Sequence, residues 1–167
     1  MVRSKLILVA GMHRSGTSAL TRALNLAGLP LPGNLLEPLP ANPDGYWEPV
    51  DVILLHNRML ESLGSCWDDF RAIPRAWFAG AEAAAFAAEL GRWIEGEMGG
   101  GGALLVKDPR ICRFLPLWAA VCGRLNIDVH AILAVRNPLE VVASLERRNK
   151  FPAIKSALLW SRYFIDA

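Results

Sequence analysis

The chain has 167 residues, 53% of them apolar and 20% charged, with a net charge of +2, so it holds enough apolar material for one folded domain with a sizeable core. That composition argues against a disordered chain, and so small a charge gives no case for a nucleic-acid or membrane-surface partner. The cysteines, Cys66, Cys112 and Cys122, are odd in number and form no C-x-x-C pair, which reads as reduced thiols of a cytoplasmic protein rather than a disulfide frame or a zinc site.

The first apolar run, Leu6 to Ala10, is too short for a signal peptide or a membrane span. We read Lys5–Ala10 as a strand buried on both faces. Residues 16–27 then carry helical spacing, with Leu20, Ala23, Leu24 and Ala27 on one side and Gly28 and Pro30 as the stop. Residues 29–49, rich in Pro, Asn and Gly, form a long loop of the kind that often serves function. Helical spacing returns over residues 50–63 through Ile53, Leu54, Leu60 and Leu63. Residues 66–74 are irregular and aromatic, and residues 78–98 form an alanine-rich helix.

Gly99 to Gly102 connect that helix to a second strand, Ala103 to Val106. Residues 111–125 form a helix with Pro116 in its first turns, and residues 129–135 form a third strand. Asn137 caps a helix that has Pro138 in its first turn and Val141, Val142 and Leu145 on its buried side. Phe151-Pro152 breaks it, and a last helix starts at Ala153. The pattern stops on Ile165-Asp166-Ala167 without a stop signal, which suggests a fragment or a truncated protein. Apolar strands alternating with helices predict an α/β fold, a parallel sheet flanked by helices in three layers.

Gly11 to Ser18, GMHRSGTS, sits between the first strand and the first helix. A strand–loop–helix unit aims backbone N–H groups and the positive end of a helix at one point, which binds anions. The common triphosphate loop has a lysine after its second glycine. Thr17 stands there instead, and Arg14, inside the loop, is the replacement cation, with a planar fork suited to phosphate or sulfate. Thr17 and Ser18 add hydroxyl donors. Lys107-Asp108-Pro109-Arg110 and Arg136-Asn137-Pro138 each follow a predicted strand, where ligands of open parallel sheets bind. Arg14, Lys107 and Arg136 on one rim suit a ligand with more than one anionic group.

An aspartate that would hold a metal is wanting, Asp108 being the best candidate, which disfavours an ordinary ATPase or GTPase. In the long loop Glu48, beside Tyr46 and Trp47, is a candidate general base or a helix-start acid. His56 is the lower-ranked rival base, and His13 is placed to line the site.

Together these clusters resemble the sulfotransferases that use 3′-phosphoadenosine-5′-phosphosulfate (PAPS), especially bacterial members and the Golgi carbohydrate and tyrosyl-protein branch. GMHRSGTS is similar to their 5′-phosphosulfate loop, so Gly11, Met12, His13, Arg14, Ser15, Gly16, Thr17 and Ser18 are expected at the donor nucleotide. Arg136 to Ser144, RNPLEVVAS, resembles the family's R-x-P-x-x-x-x-x-S motif, which makes Arg136 and Ser144 the expected 3′-phosphate ligands. Lys107-Asp108-Pro109 is similar to a segment of the tyrosyl-protein branch, and Glu48 falls where several members place a catalytic glutamate. The family's later basic, glycine-containing loop has no counterpart before Ala167.

The resemblance implies a P-loop NTPase-like fold and a single nucleotide-binding domain over residues 1–167, incomplete at its C-terminus. It further implies sulfuryl transfer from PAPS to a hydroxyl or amine of a carbohydrate, small-molecule or peptide acceptor. Arg14, Glu48 and Lys107 would be catalytic and no metal would be required. The rival expectations are a P-loop kinase of a small substrate using ATP and Mg²⁺, and a non-catalytic nucleotide-binding protein.

Overall fold

The computed structural model describes residues 3–40 and 42–167; Met1, Val2 and Ala41, the last in the predicted long loop, lie outside the described residues. Strand β1 (Lys5–Ala10) leads through the glycine loop into α1 (Thr17–Leu26). After the long loop come α2 (Val50–Ser62), a 3-10 turn (Arg75–Ala79) and α3 (Ala81–Glu97). The rest of the chain is β2 (Ala103–Lys107), α4 (Ile111–Arg124), β3 (Asp128–Leu133), α5 (Pro138–Asn149) and α6 (Ala153–Asp166). The three strands form one parallel sheet in the order β2-β1-β3. Lys5 is in register with Ala103 on one side and with Asp128 on the other, so all three strands run their carboxyl ends to the same rim.

The central strand β1 is buried on both faces, as its unbroken apolar run requires. Leu6, Leu8 and Ala10 enter the larger core, built mainly with α2, α3, α4 and α6. Ile7 and Val9 join Leu105 in a smaller core closed by Leu20 and Leu24 of α1. Helices thus flank the sheet, and the chain is an α/β protein.

Several buried faces differ from the sequence reading. In α1 the buried residues are Thr17 and Thr21, while Ala23 and Ala27 are exposed. The Thr21 hydroxyl donates to the Thr17 carbonyl at 2.8 Å, so it enters the interior already satisfied. In α2 Leu54 faces solvent and the stripe runs through Val52, Leu55, His56, Met59 and Leu60. His56 takes its core place because the Trp118 indole N–H donates to its Nε2 at 3.1 Å. The alanine-rich helix starts at Ala81, not Phe78, because Gly80 is extended between it and the 3-10 turn. β3 ends at Leu133 rather than Val135: after Ala134 N–H meets the Ala10 carbonyl, β1 has turned away at Gly11 and offers no partner.

The two predicted breaks in regularity are present. Asn137 caps α5, its side-chain oxygen accepting from the Leu139 N–H at 2.9 Å. Pro116 lies inside α4, which kinks at Phe114.

Candidate functional site

The turn after β1 is set by backbone geometry. Gly11 has φ 146°, and a Cβ there would lie 2.7 Å from the Ala134 carbonyl oxygen, so the loop passes β3 where only glycine fits. Its N–H donates to Cys112 Sγ at 3.0 Å, tying the loop to the start of α4. Burial pushes the Cys112 thiol up to about 12, so the sulfur meets that N–H as a neutral thiol. Arg14 and Gly16 take left-handed φ values of 70° and 84°, and Ser15 N–H closes a turn onto the Met12 carbonyl at 3.1 Å.

The loop therefore faces two ways. Met12 goes into the core, and Ser15 is buried against the β3 end. His13, Arg14, Gly16, Thr17 and Ser18 line an open cavity of about 220 Å³ at the start of α1. Of the eight loop residues expected at the nucleotide, Gly11, Met12 and Ser15 shape the loop and do not line that cavity.

The same cavity is lined by Lys107 from the end of β2, Arg136 from beyond β3 and Arg148 from α5. Arg14 Nε donates to Ser144 Oγ at 2.8 Å, and Arg136 donates to the Arg14 carbonyl at 3.2 Å. Ser144 is buried, although Asn137 and Glu140, seven and four residues before it on the same side of α5, are exposed. Arg136 pairs with Glu140 at 2.7 Å, and its own carbonyl accepts from the Trp160 indole at 3.2 Å. Four cationic side chains thus line the cavity against one carboxylate, Glu48. The first N–H groups of α1 open onto it as well.

Glu48 is not a helix-start acid: Pro49 precedes α2 and the Glu48 side chain is buried. Its Oε1 is in close contact with Lys107 Nζ, and its Oε2 is 3.6 Å from Arg110. Burial pushes the Glu48 carboxyl above its usual value, against the pull of Lys107 and Arg110. Lys107 Nζ also donates to the Tyr46 carbonyl at 3.1 Å and to Ser18 Oγ at 3.3 Å. Ser18 in turn contacts the Tyr46 carbonyl and Asn42, so residues of the long loop are fastened to the start of α1.

Asp108 points the other way. It is fully buried, accepts from the Arg110 N–H at 2.7 Å, and grips the Arg110 guanidinium at 2.8–3.2 Å. Burial alone would raise its carboxyl, but Arg110 and His56 hold it well below the usual carboxylate range. The aspartate singled out as the best metal-holding candidate is therefore a structural anchor that does not line the cavity. His56 is likewise internal, 3.7 Å from Asp108 and bonded to Trp118, so it is no rival base at the cavity. His13 does line it, packed against Trp67 and Tyr163 with ring centroids 4.6 and 5.9 Å away. Burial, with the Arg110 charge, lowers the His13 imidazole well below its usual 6.5, so it is neutral.

Sequence reasoning missed Arg148, Asn42, Tyr46 and Pro109 as cavity residues. Arg148 carried a readable signal, since it lies one helical turn after Ser144 and so on the same side of α5. It lies over the Trp67 ring at 5.6 Å, and burial, then Arg14 beside it, lower its pKa. Asn42 and Tyr46 arrive through loop geometry, which no periodicity encodes. Among the described residues no group of three or more His, Cys, Asp or Glu side chains is placed to hold a metal, and no helix is long and apolar enough to cross a membrane.

Comparison with protein-family models gives no match for this chain, and comparison with curated proteins gives none.

Proposed function

We propose that the chain is a PAPS-dependent sulfotransferase on a P-loop NTPase-like fold, moving a sulfuryl group to a hydroxyl or amine of a small-molecule, carbohydrate or peptide acceptor. The observation that carries this reading is the meeting of Arg14, Lys107, Arg136 and Arg148 with the start of α1 around one cavity. These cations come from four separate parts of the chain and suit a ligand bearing several anionic groups.

The residues present fit such a donor, which supplies an activated sulfuryl group, held as a phosphosulfate anhydride, when bound. Arg14 is held in place by Ser144, and the α1 N–H groups beside it suit the phosphosulfate end. Arg136 and Arg148 suit the 3′-phosphate, while Ser144, expected there too, lies off the cavity lining and serves it through Arg14. Transfer forms a bond from acceptor oxygen or nitrogen to sulfur and breaks the bond from sulfur to the bridging oxygen. The electron pair stays on the phosphate oxygen, and Glu48 takes the acceptor proton. Arg14 and Lys107 neutralise charge on the departing oxygen, with Thr17 and Ser18 in support. Arg14, Glu48 and Lys107, the groups given chemical roles, all line the cavity, and a metal has no assigned role. The expected setting is cytoplasmic, with neither nucleic acid nor membrane as partner.

The test is transfer of radiolabelled sulfate from PAPS to a panel of hydroxyl and amine acceptors in metal-free buffer. Labelled product from the wild type, reduced about 10²–10³-fold in Arg14→Ala, supports the reading. Binding of the nucleotide with no product from any acceptor would favour a non-catalytic nucleotide-binding protein.

A further inference from the structure

Lys107 differs from the other cations at the cavity. Its ammonium has three N–H donors, and all three have protein acceptors: Glu48 Oε1, the Tyr46 carbonyl and Ser18 Oγ. Arg14 by contrast spends one of its N–H groups on Ser144, and Arg148 one on Asn149. Lys107 must therefore give up an existing partner before it can meet an anion. Glu48 has a second anchor in Arg110, 3.6 Å from its other oxygen. Arg110 cannot follow an incoming ligand, because Asp108 holds its guanidinium and Asn57 accepts from it at 2.9 Å.

We infer that Glu48 and the anionic ligand compete for Lys107: an anion entering the cavity draws the ammonium off Glu48, and Arg110, as a positioning residue, keeps the freed carboxylate in place. The general base is then masked while the cavity lacks its anion and unmasked once the anion is bound. An acceptor proton is consequently taken only after the donor has entered, which imposes an order of binding. This inference rests on the reading of the cavity as an anion site.

The groups facing Glu48 are Lys107 from β2 and Asp108 and Arg110 from the turn that follows it. Neutral His13 and cationic Arg148 line the same cavity. Removing the Lys107 charge from Glu48 and adding an anion nearby both favour the protonated carboxyl. Anion binding should therefore be accompanied by proton uptake at mildly acidic pH.

The experiment is calorimetric titration with 3′-phosphoadenosine-5′-phosphate (PAP) of the wild type, Glu48→Gln, Lys107→Met and the Glu48→Gln/Lys107→Met double variant. With Glu48 neutralised, PAP should bind about tenfold tighter, since Lys107 no longer has to leave a carboxylate. That gain should vanish when Lys107 is absent. A gain that persists in the Lys107→Met background would be general charge repulsion and would overturn the hand-over, as would no gain at all. Should Lys107→Met fail to fold, Lys107→Gln, which can keep hydrogen bonds to the Tyr46 carbonyl and Ser18, takes its place in the cycle: a gain from Glu48→Gln that vanishes in that background supports the hand-over, and one that persists overturns it. Wild type that binds no PAP brings down the nucleotide reading itself, and the hand-over with it.

Discussion

Arg14 Nε and Ser144 Oγ lie 2.8 Å apart, joining the loop after the first strand to the fifth helix across 130 positions of sequence. The contact aims the Arg14 guanidinium, whose backbone already carries a left-handed φ of 70°. Ser144→Ala removes the acceptor while leaving the fold's apolar contacts in place. It should weaken PAP binding about tenfold, by the worth of a hydrogen bond to a charged group, with little change in melting temperature. Calorimetry and a thermal melt of the same sample check both halves.

Asp108 and Arg110 form the buried ion pair beneath the cavity. Asp108→Ala leaves Arg110 charged and without its main partner, and deprives His56 of its neighbouring carboxylate. Breaking one side of such a pair costs about 3–5 kcal/mol. Urea denaturation should report a loss of that order. A loss below about 1 kcal/mol would mean that solvent reaches Arg110.

Gly11 cannot carry a side chain without moving β3 or the loop. Its φ of 146° and the 2.7 Å approach of the Ala134 carbonyl act together. Gly11→Ala should cost roughly 2 kcal/mol or more in stability and also impair anion binding, because the loop must shift. Gly16→Ala is the contrast: its φ is 84° but nothing lies within 4 Å of the added Cβ, so backbone strain alone acts. The smaller loss should be seen there.

Burial holds the imidazoles of His13 and His56 neutral in the fold, both lowered from 6.5. The unfolded chain binds these protons near 6.5, and the folded chain only at lower pH. Their contribution to stability is thus whole above 6.5 and is lost as pH falls below it. Glu48, raised by burial, titrates with the opposite sign, so a paired comparison is needed. His13→Phe should lose less stability than the wild type between about pH 7 and pH 5.5, measured by denaturant melts at each pH.

The sheet and most helix limits were legible because each rests on a local signal. β1 is a continuous apolar run, Asn137 and Pro138 mark the start of α5, and Gly99 to Gly102 mark the end of α3. The buried stripes of α1 and α2 were misread where polar side chains enter the core. Thr21 and His56 go inside because the Thr17 carbonyl and the Trp118 indole satisfy them, and no hydrophobic period announces that. At the cavity, Arg14, Lys107 and Arg136 were legible as cations that follow strands. The Lys107–Glu48 contact was not, because it depends on how the long loop lies across the start of α1. The two duties of Lys107-Asp108-Pro109-Arg110 were also hidden: successive residues at the end of β2 face opposite ways, Lys107 to the cavity and Asp108 to the interior.

The most direct measurement of all is metal-free calorimetric titration of the wild type, Arg14→Ala and Arg136→Ala with PAP, set beside titration of the wild type with ATP and Mg²⁺. We expect PAP to bind the wild type without metal, and each variant to bind it at least about tenfold more weakly. Binding of ATP that requires Mg²⁺ with none of PAP would contradict the claim that both guanidinium groups grip one doubly phosphorylated adenine nucleotide, as would PAP affinity left unchanged in Arg136→Ala.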